Sequence, residues 1–145
     1  MSTHLNTFTF TATRPTDFKT ANHTCREVVT PFGYSKILNE KNEVAVMISR
    51  GYGAGWSTWA ESDILRHVIF DSRIIRYKFL GEYAEHNYES FMKNIVGFAE
   101  DIIPYEGGFP ALMVQFIPEG TQFRINEYDG SESIEIFDPK NFETA

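Results

Sequence analysis

The chain has a single cysteine, Cys25, in 145 residues. That excludes an intrachain disulfide and removes the usual mark of a secreted scaffold. Long apolar runs are missing as well. The longest aliphatic stretch, residues 44–48, is far short of the roughly 20 residues a membrane-spanning helix needs, so no membrane association is expected. Basic residues are few: 13 Lys and Arg stand against 20 Asp and Glu, a net charge of −7. Direct nucleic-acid binding is therefore not expected, because it draws on cationic side chains to displace counterions from phosphates. No basic residue precedes Arg14 and no apolar block adjoins it, which argues against a signal peptide.

What the chain does contain is globular. Hydrophobic residues make up 42% and aromatic residues 15%, including 13 Phe, 7 Tyr and 2 Trp, enough bulky apolar surface for one core. The length matches one domain, residues 1–145, with no repeat or linker. Charge is uneven. Residues 1–80 carry ten Lys/Arg and seven acids, whereas residues 81–145 carry three and thirteen. Such a dipolar surface either steers a charged partner or simply keeps the protein soluble.

Residues 7–12 alternate Thr with apolar residues at period two, a strand signature. A weaker extended pair is expected at 26–29 and 34–39, around the turn Thr30-Pro31-Phe32-Gly33. Residues 43–49 are apolar on both faces, which suits a central strand. Thr58 and Glu61 fit a capping box opening a helix with the stripe Ile64, Leu65, Val68 and Ile69. A second helix is expected at 72–80, closed by Gly81, and a third across 82–103, ended by Pro104. Residues 112–117, 122–128 and 132–137 are β-type runs, the last two joined by the hairpin signal Asp129-Gly130. The expectation is an α+β fold: a mainly antiparallel sheet, two or three helices packed on one face, and a C-terminal β-meander.

The candidate site is Arg50-Gly51-Tyr52-Gly53-Ala54-Gly55-Trp56-Ser57-Thr58-Trp59, between the buried strand and the capped helix. Gly53 and Gly55 let another group approach the main chain, and a loop opening a helix offers free N–H groups to an anion. Arg50, Ser57 and Thr58 would add donors, while Tyr52, Trp56 and Trp59 would stack on a flat ligand. Arg73 and Arg124 are further anion partners. The loop has no Gly-Lys-Ser/Thr ending, no Gly-x-Ser-x-Gly elbow and no correctly spaced third glycine. It reads either as a ligand loop or as a tight turn whose tryptophans anchor the core. The rows Asp63, His67, Asp71 and Glu82, His86, Glu89 have ligand-type residues at helical spacing but no supporting cluster. No metal, cofactor or catalytic residue is assigned. The acids Glu127, Asp129, Glu132, Glu135 and Asp138 surround the last hairpin without calcium-loop spacing.

The segments EVAVMISRGYGAGWSTW (43–59) and PEGTQFRINEYDGSESIE (118–135) resemble a family of small, largely uncharacterised bacteriophage-encoded proteins. Residues 70–74, FDSRI, are similar to another element of that family. Together they span about a third of the chain, and Arg50 stands where a small residue or Pro is expected. The resemblance implies a phage origin and a location in the host cytoplasm, but no activity.

The expected function is a small acidic accessory protein with an anti-defence role. It would be a non-catalytic module binding a host protein or an anionic, nucleotide-like small molecule. The alternatives are a small enzyme acting on a phosphorylated or nucleotide substrate at the same loop, and an acidic mimic of nucleic acid. Homo-oligomer formation is left open.

Overall fold

Alternation of threonine with apolar side chains in β1 (Thr7–Thr13) places Phe8, Phe10 and Ala12 on one face, opposite Cys25, His23 and Ala21 of the antiparallel β2 (Thr20–Val29). The other face is polar: the Thr11 hydroxyl donates to Asn22 Oδ1 at 2.7 Å, and the hydroxyls of Thr13 and Thr20 pair at 2.9 Å. The computed structural model describes residues 7–30, 35–53, 55–60 and 63–137. Strands β3 (Ser35–Leu38), β4 (Glu43–Ser49) and β5 (Leu112–Pro118) complete an antiparallel sheet in the order β1-β2-β3-β4-β5. The proposed turn at residues 31–34 lies outside the described residues. The protein is an α+β fold with a mainly antiparallel sheet, and no described helix is long and apolar enough to cross a membrane.

The sheet curls until its edges face one another. Phe10 of β1 lies 6.2 Å from Phe116 of β5, ring to ring, and His23 lies 4.3 Å from the same ring. Helix α1 (Ser72–Leu80) packs against the concave face, with Phe79 5.6 Å from Phe10 and the Arg76 guanidinium 4.3 Å over Phe8. Arg76 also pairs with Glu27 of β2. Asp71 caps α1 by accepting from the N–H groups of Arg73 and Ile74, a role the sequence reading does not assign it, and Gly81 at φ +74° is the stop that the sequence predicts. Ile74 and Ile75 are fully buried with Ile37, Ala45, Met47 and Phe91. Each large aliphatic side chain there contributes about 1.5–3 kcal/mol from burial.

β4 is buried on both faces, as its unbroken apolar sequence requires. Its other side is covered by Phe70 and by a separate ribbon, β6 (Phe123–Tyr128) with β7 (Ser131–Ile136). Phe70 meets Phe123 edge-on at 6.0 Å. The turn Asp129-Gly130 has φ of +49° and +87°, the left-handed pair a tight hairpin needs. The C-terminal strands thus divide: β5 joins the main sheet, and β6 and β7 pair only with each other.

Two helical expectations change. Residues 82–103 do not form one helix. A turn with Tyr83 at φ +58° comes first, then a short α2 (Tyr88–Phe91) capped by Asn87, then a π-turn (Met92–Val96) stopped by Gly97 at φ +96°. The apolar period is real, since Phe91 is buried and Ile95 and Phe98 pack on the core, but cap and stop signals cut the segment. Between β4 and α1 the chain forms 3-10 turns, Ser57–Trp59 and Asp63–Phe70. The capping partner Glu61 lies outside the described residues.

Candidate functional site

The loop after β4 does bind an anion, and the anion belongs to the protein. Glu132, the second residue of β7, is fully buried. Its Oε1 accepts from the Ser49 N–H at 2.7 Å; its Oε2 accepts from the N–H groups of Trp56 and Thr58, each at 3.0 Å, and from the Thr58 hydroxyl at 2.6 Å. Four donors converge on one carboxylate, which meets the desolvation cost of burying it. Arg50 adds a clamp by donating from Nη1 to the Glu132 carbonyl at 3.1 Å, and its Nε is buried without a partner among the described residues. The Gly53 N–H, at φ +68°, donates to the Asp129 carbonyl and ties the loop to the ribbon turn. The ribbon therefore fills the place that an external anion was expected to take.

The two tryptophans have different roles. Trp56 is completely enclosed, and its indole N–H donates to the Tyr88 hydroxyl at 2.9 Å, which in turn donates to the Pro104 carbonyl at 2.7 Å. Burial pushes the Tyr88 hydroxyl pKa up, so it remains a neutral relay. Trp56 is a core residue and not a stacking surface, because its loop is drawn inward by Glu132. Trp59 is 41% exposed and Tyr105 is 50% exposed; their rings stack at 5.5 Å with planes 28° apart. The indole N–H of Trp59 donates to Glu127 of β6. A Cβ at Gly55 would sit 2.6 Å from the Trp59 ring, and one at Gly107 would sit 2.3 Å from the Tyr105 ring. Both glycines give way to the aromatic lying over them.

Tyr52 and Tyr128 are the other exposed rings of this region, joined through the Gly53–Asp129 backbone bond. Among the described residues, Ser57 supplies its carbonyl to the Ala60 N–H in its 3-10 turn. The sequence places Arg73 and Arg124 at the site as anion partners, and the structure corrects this. Arg73 folds back on Asp71 at 2.9 Å and on the Ile95 carbonyl at 2.9 Å. Arg124 lies on the ribbon, paired with Glu135 at 2.6 Å. Asn126 and Arg124 together hold the Glu135 carboxyl below the usual carboxylate range. The ligand-type rows are likewise spent: Asp71 caps α1, Glu82 pairs with Arg76, His86 contacts Ser90, and Glu89 pairs with Lys93.

Sequence reasoning missed three residues. Tyr105 and Gly107 sit in a stretch with no motif, and only the stack explains them. Glu132 was hidden in an acidic run, yet it shares strand parity with the inward Ile134. No protein-family model, curated protein or solved structure matches the chain.

Proposed function

We infer that this chain is a non-catalytic module that binds a protein partner through the face carrying Trp59 and Tyr105. One observation carries the reading: two large aromatics are exposed, yet stacked and fixed in place by glycines beneath them and by Glu127 beside them. Rings ordered before contact lose little entropy on binding, which is the physics of an interface hot spot. Glu127 sets a carboxylate against the Trp59 indole, and the same ribbon carries Asp129 and the exposed Tyr128 at its turn. Such a surface suits a partner presenting arginine or lysine, which can meet carboxylate and ring together. The phage resemblance makes that partner a host protein in the host cytoplasm, and an anti-defence role is the natural reason for such a module. An anionic ligand in the loop itself is not part of the reading, because Glu132 holds those donors.

The test is capture of host proteins by the purified chain, by Trp59→Ala with Tyr105→Ala, and by Glu127→Gln with Asp129→Asn, all checked for equal folding. A partner held by the parent and lost by both double variants supports the reading. A partner bound equally by all three defeats it. Loss on charge neutralisation alone, with strong salt sensitivity, favours the nucleic-acid mimic instead. Buried Glu132 takes no part in that surface, and Glu135 is already paired with Arg124.

A further inference from the structure

The basic residues of the first half of the sequence also have a structural expression, away from the glycine loop. At the hairpin end of the curled sheet, a cleft of about 270 Å³ opens between β1, β2 and β5. Its floor exists because Ala12 pairs with Ala21 where the preceding pair is Phe10 with His23. Two methyl groups leave space that larger side chains fill one step further along. Val114 and Phe116 of β5 form the far wall, with His23 lying 4.3 Å from the Phe116 ring.

The rim is cationic in a chain whose net charge is −7. Arg14 and Lys19 flank the β1–β2 hairpin, and Lys41 enters from the β3–β4 turn; Glu43 is the one carboxylate in the lining. Arg14 is neutralised by Asp17, whose oxygens accept from Nε at 2.9 Å and Nη2 at 2.5 Å. The ammonium groups of Lys19 and Lys41 have no carboxylate within ion-pair distance among the described residues. Their backbones are fixed by the Lys19 N–H bond to Asp17 and the Lys41 N–H bond to Asn39 Oδ1, at 3.1 and 3.0 Å. Two lysines at the mouth of an apolar and aromatic floor suit a dianion with a flat or apolar body.

We propose that this cleft binds a small phosphate monoester, its phosphate between Lys19 and Lys41 and its body against Ala12, Ala21 and Phe116. The site is independent of the aromatic face and needs no chemistry at the ligand. Phenyl phosphate is the probe, with phenol and inorganic phosphate as the body-only and charge-only controls. Calorimetry should give saturable one-to-one binding of phenyl phosphate, weaker binding of inorganic phosphate, and none of phenol. Lys19→Ala with Lys41→Ala should lower the affinity at least about tenfold, since charge-assisted bonds are the strong ones. Trp59→Ala should leave it unchanged. Shifts of the Ala12 and Ala21 methyl resonances on titration should locate the ligand. No saturation at millimolar probe, or binding that persists in the double lysine variant, overturns the proposal, as does a ligand whose shifts map to residues 50–59.

Discussion

Replacing Glu132 by Gln tests what holds the glycine loop. The change keeps the shape but turns one acceptor oxygen into an NH2 donor. With the remaining oxygen toward the Trp56 and Thr58 donors, the amide faces the buried Ser49 N–H, which then loses its acceptor. An orphaned buried donor costs about 1–3 kcal/mol. The three surviving bonds drop from charge-assisted to neutral, losing about 0.5–1 kcal/mol each. Removal of a buried charge returns part of this, because its desolvation no longer opposes folding. The net loss is about 3 kcal/mol, a large share of the 5–15 kcal/mol typical of a domain. With a urea m-value of about 2 kcal/mol per molar, the midpoint should fall by about 1.5 M. The melting temperature should fall by about 9 °C. Both are readable by circular dichroism, and the combined emission of Trp56 and Trp59 reports the loop. Thr58→Val removes the hydroxyl bond and should couple to the first change by about 1 kcal/mol in a double-mutant cycle. A Glu132→Gln variant within about 0.5 kcal/mol of the parent would refute the account of the loop as an internally satisfied anion site.

Three further outcomes follow from the same geometry. Gly55→Ala puts a methyl 2.6 Å from the Trp59 ring, so the stack on Tyr105 should open. Its near-ultraviolet circular dichroism should fade and partner affinity should drop, with a stability loss of about 1–2 kcal/mol; an unchanged aromatic spectrum would contradict the stack. Tyr88→Phe leaves the Trp56 indole N–H and the Pro104 carbonyl without partners and should cost about 2–4 kcal/mol in urea unfolding. A near-neutral result would mean that water satisfies both groups. Burial, with the nearby Glu40 carboxylate adding to it, pushes the Cys25 thiol from 9.0 up to about 11. At pH 8 its thiolate is therefore about a hundredfold scarcer than in the unfolded chain, and alkylation should be slow until urea is added. The neutral thiol's share of stability is whole below pH 9.0 and is lost as pH rises to about 11. Native labelling as fast as a free thiol would refute the burial.

Where local chemistry and tertiary demand agree, the sequence suffices. Thr-apolar alternation marks β1, the apolar run 43–49 marks β4, and Asp129-Gly130 marks the ribbon turn, since each pattern admits one economical backbone. Residues 20–25 (TANHTC) are polar enough to hide their strand; β2 exists there because β1 supplies a ladder partner. Residues 82–103 failed differently. The apolar period there is real, but Asn87 as a cap and Gly97 as a stop are point signals that outweigh periodicity. Pairing of β5 with β4 across more than sixty intervening residues has no local trace at all.

The site shows the same division between chemistry and address. A glycine-rich loop with converging N–H groups demands a negative charge, and the Glu132 carboxylate supplies it. The deciding signal is parity on β7: Ile134 must face the core, so Glu132, two residues earlier, faces the same way and cannot be solvated with Glu135. A buried acid needs donors, and the loop is a set of donors needing an acid. Neither segment alone identifies its partner, but the two requirements are complementary, and each is costly if left unmet. Once they are joined, those donors are occupied, Trp56 is drawn inward, and Trp59 is left on the surface over Gly55. The exposed stack is thus a consequence of the internal anion site, which predicts that Glu132→Gln will loosen the Trp59–Tyr105 face before the main sheet unfolds.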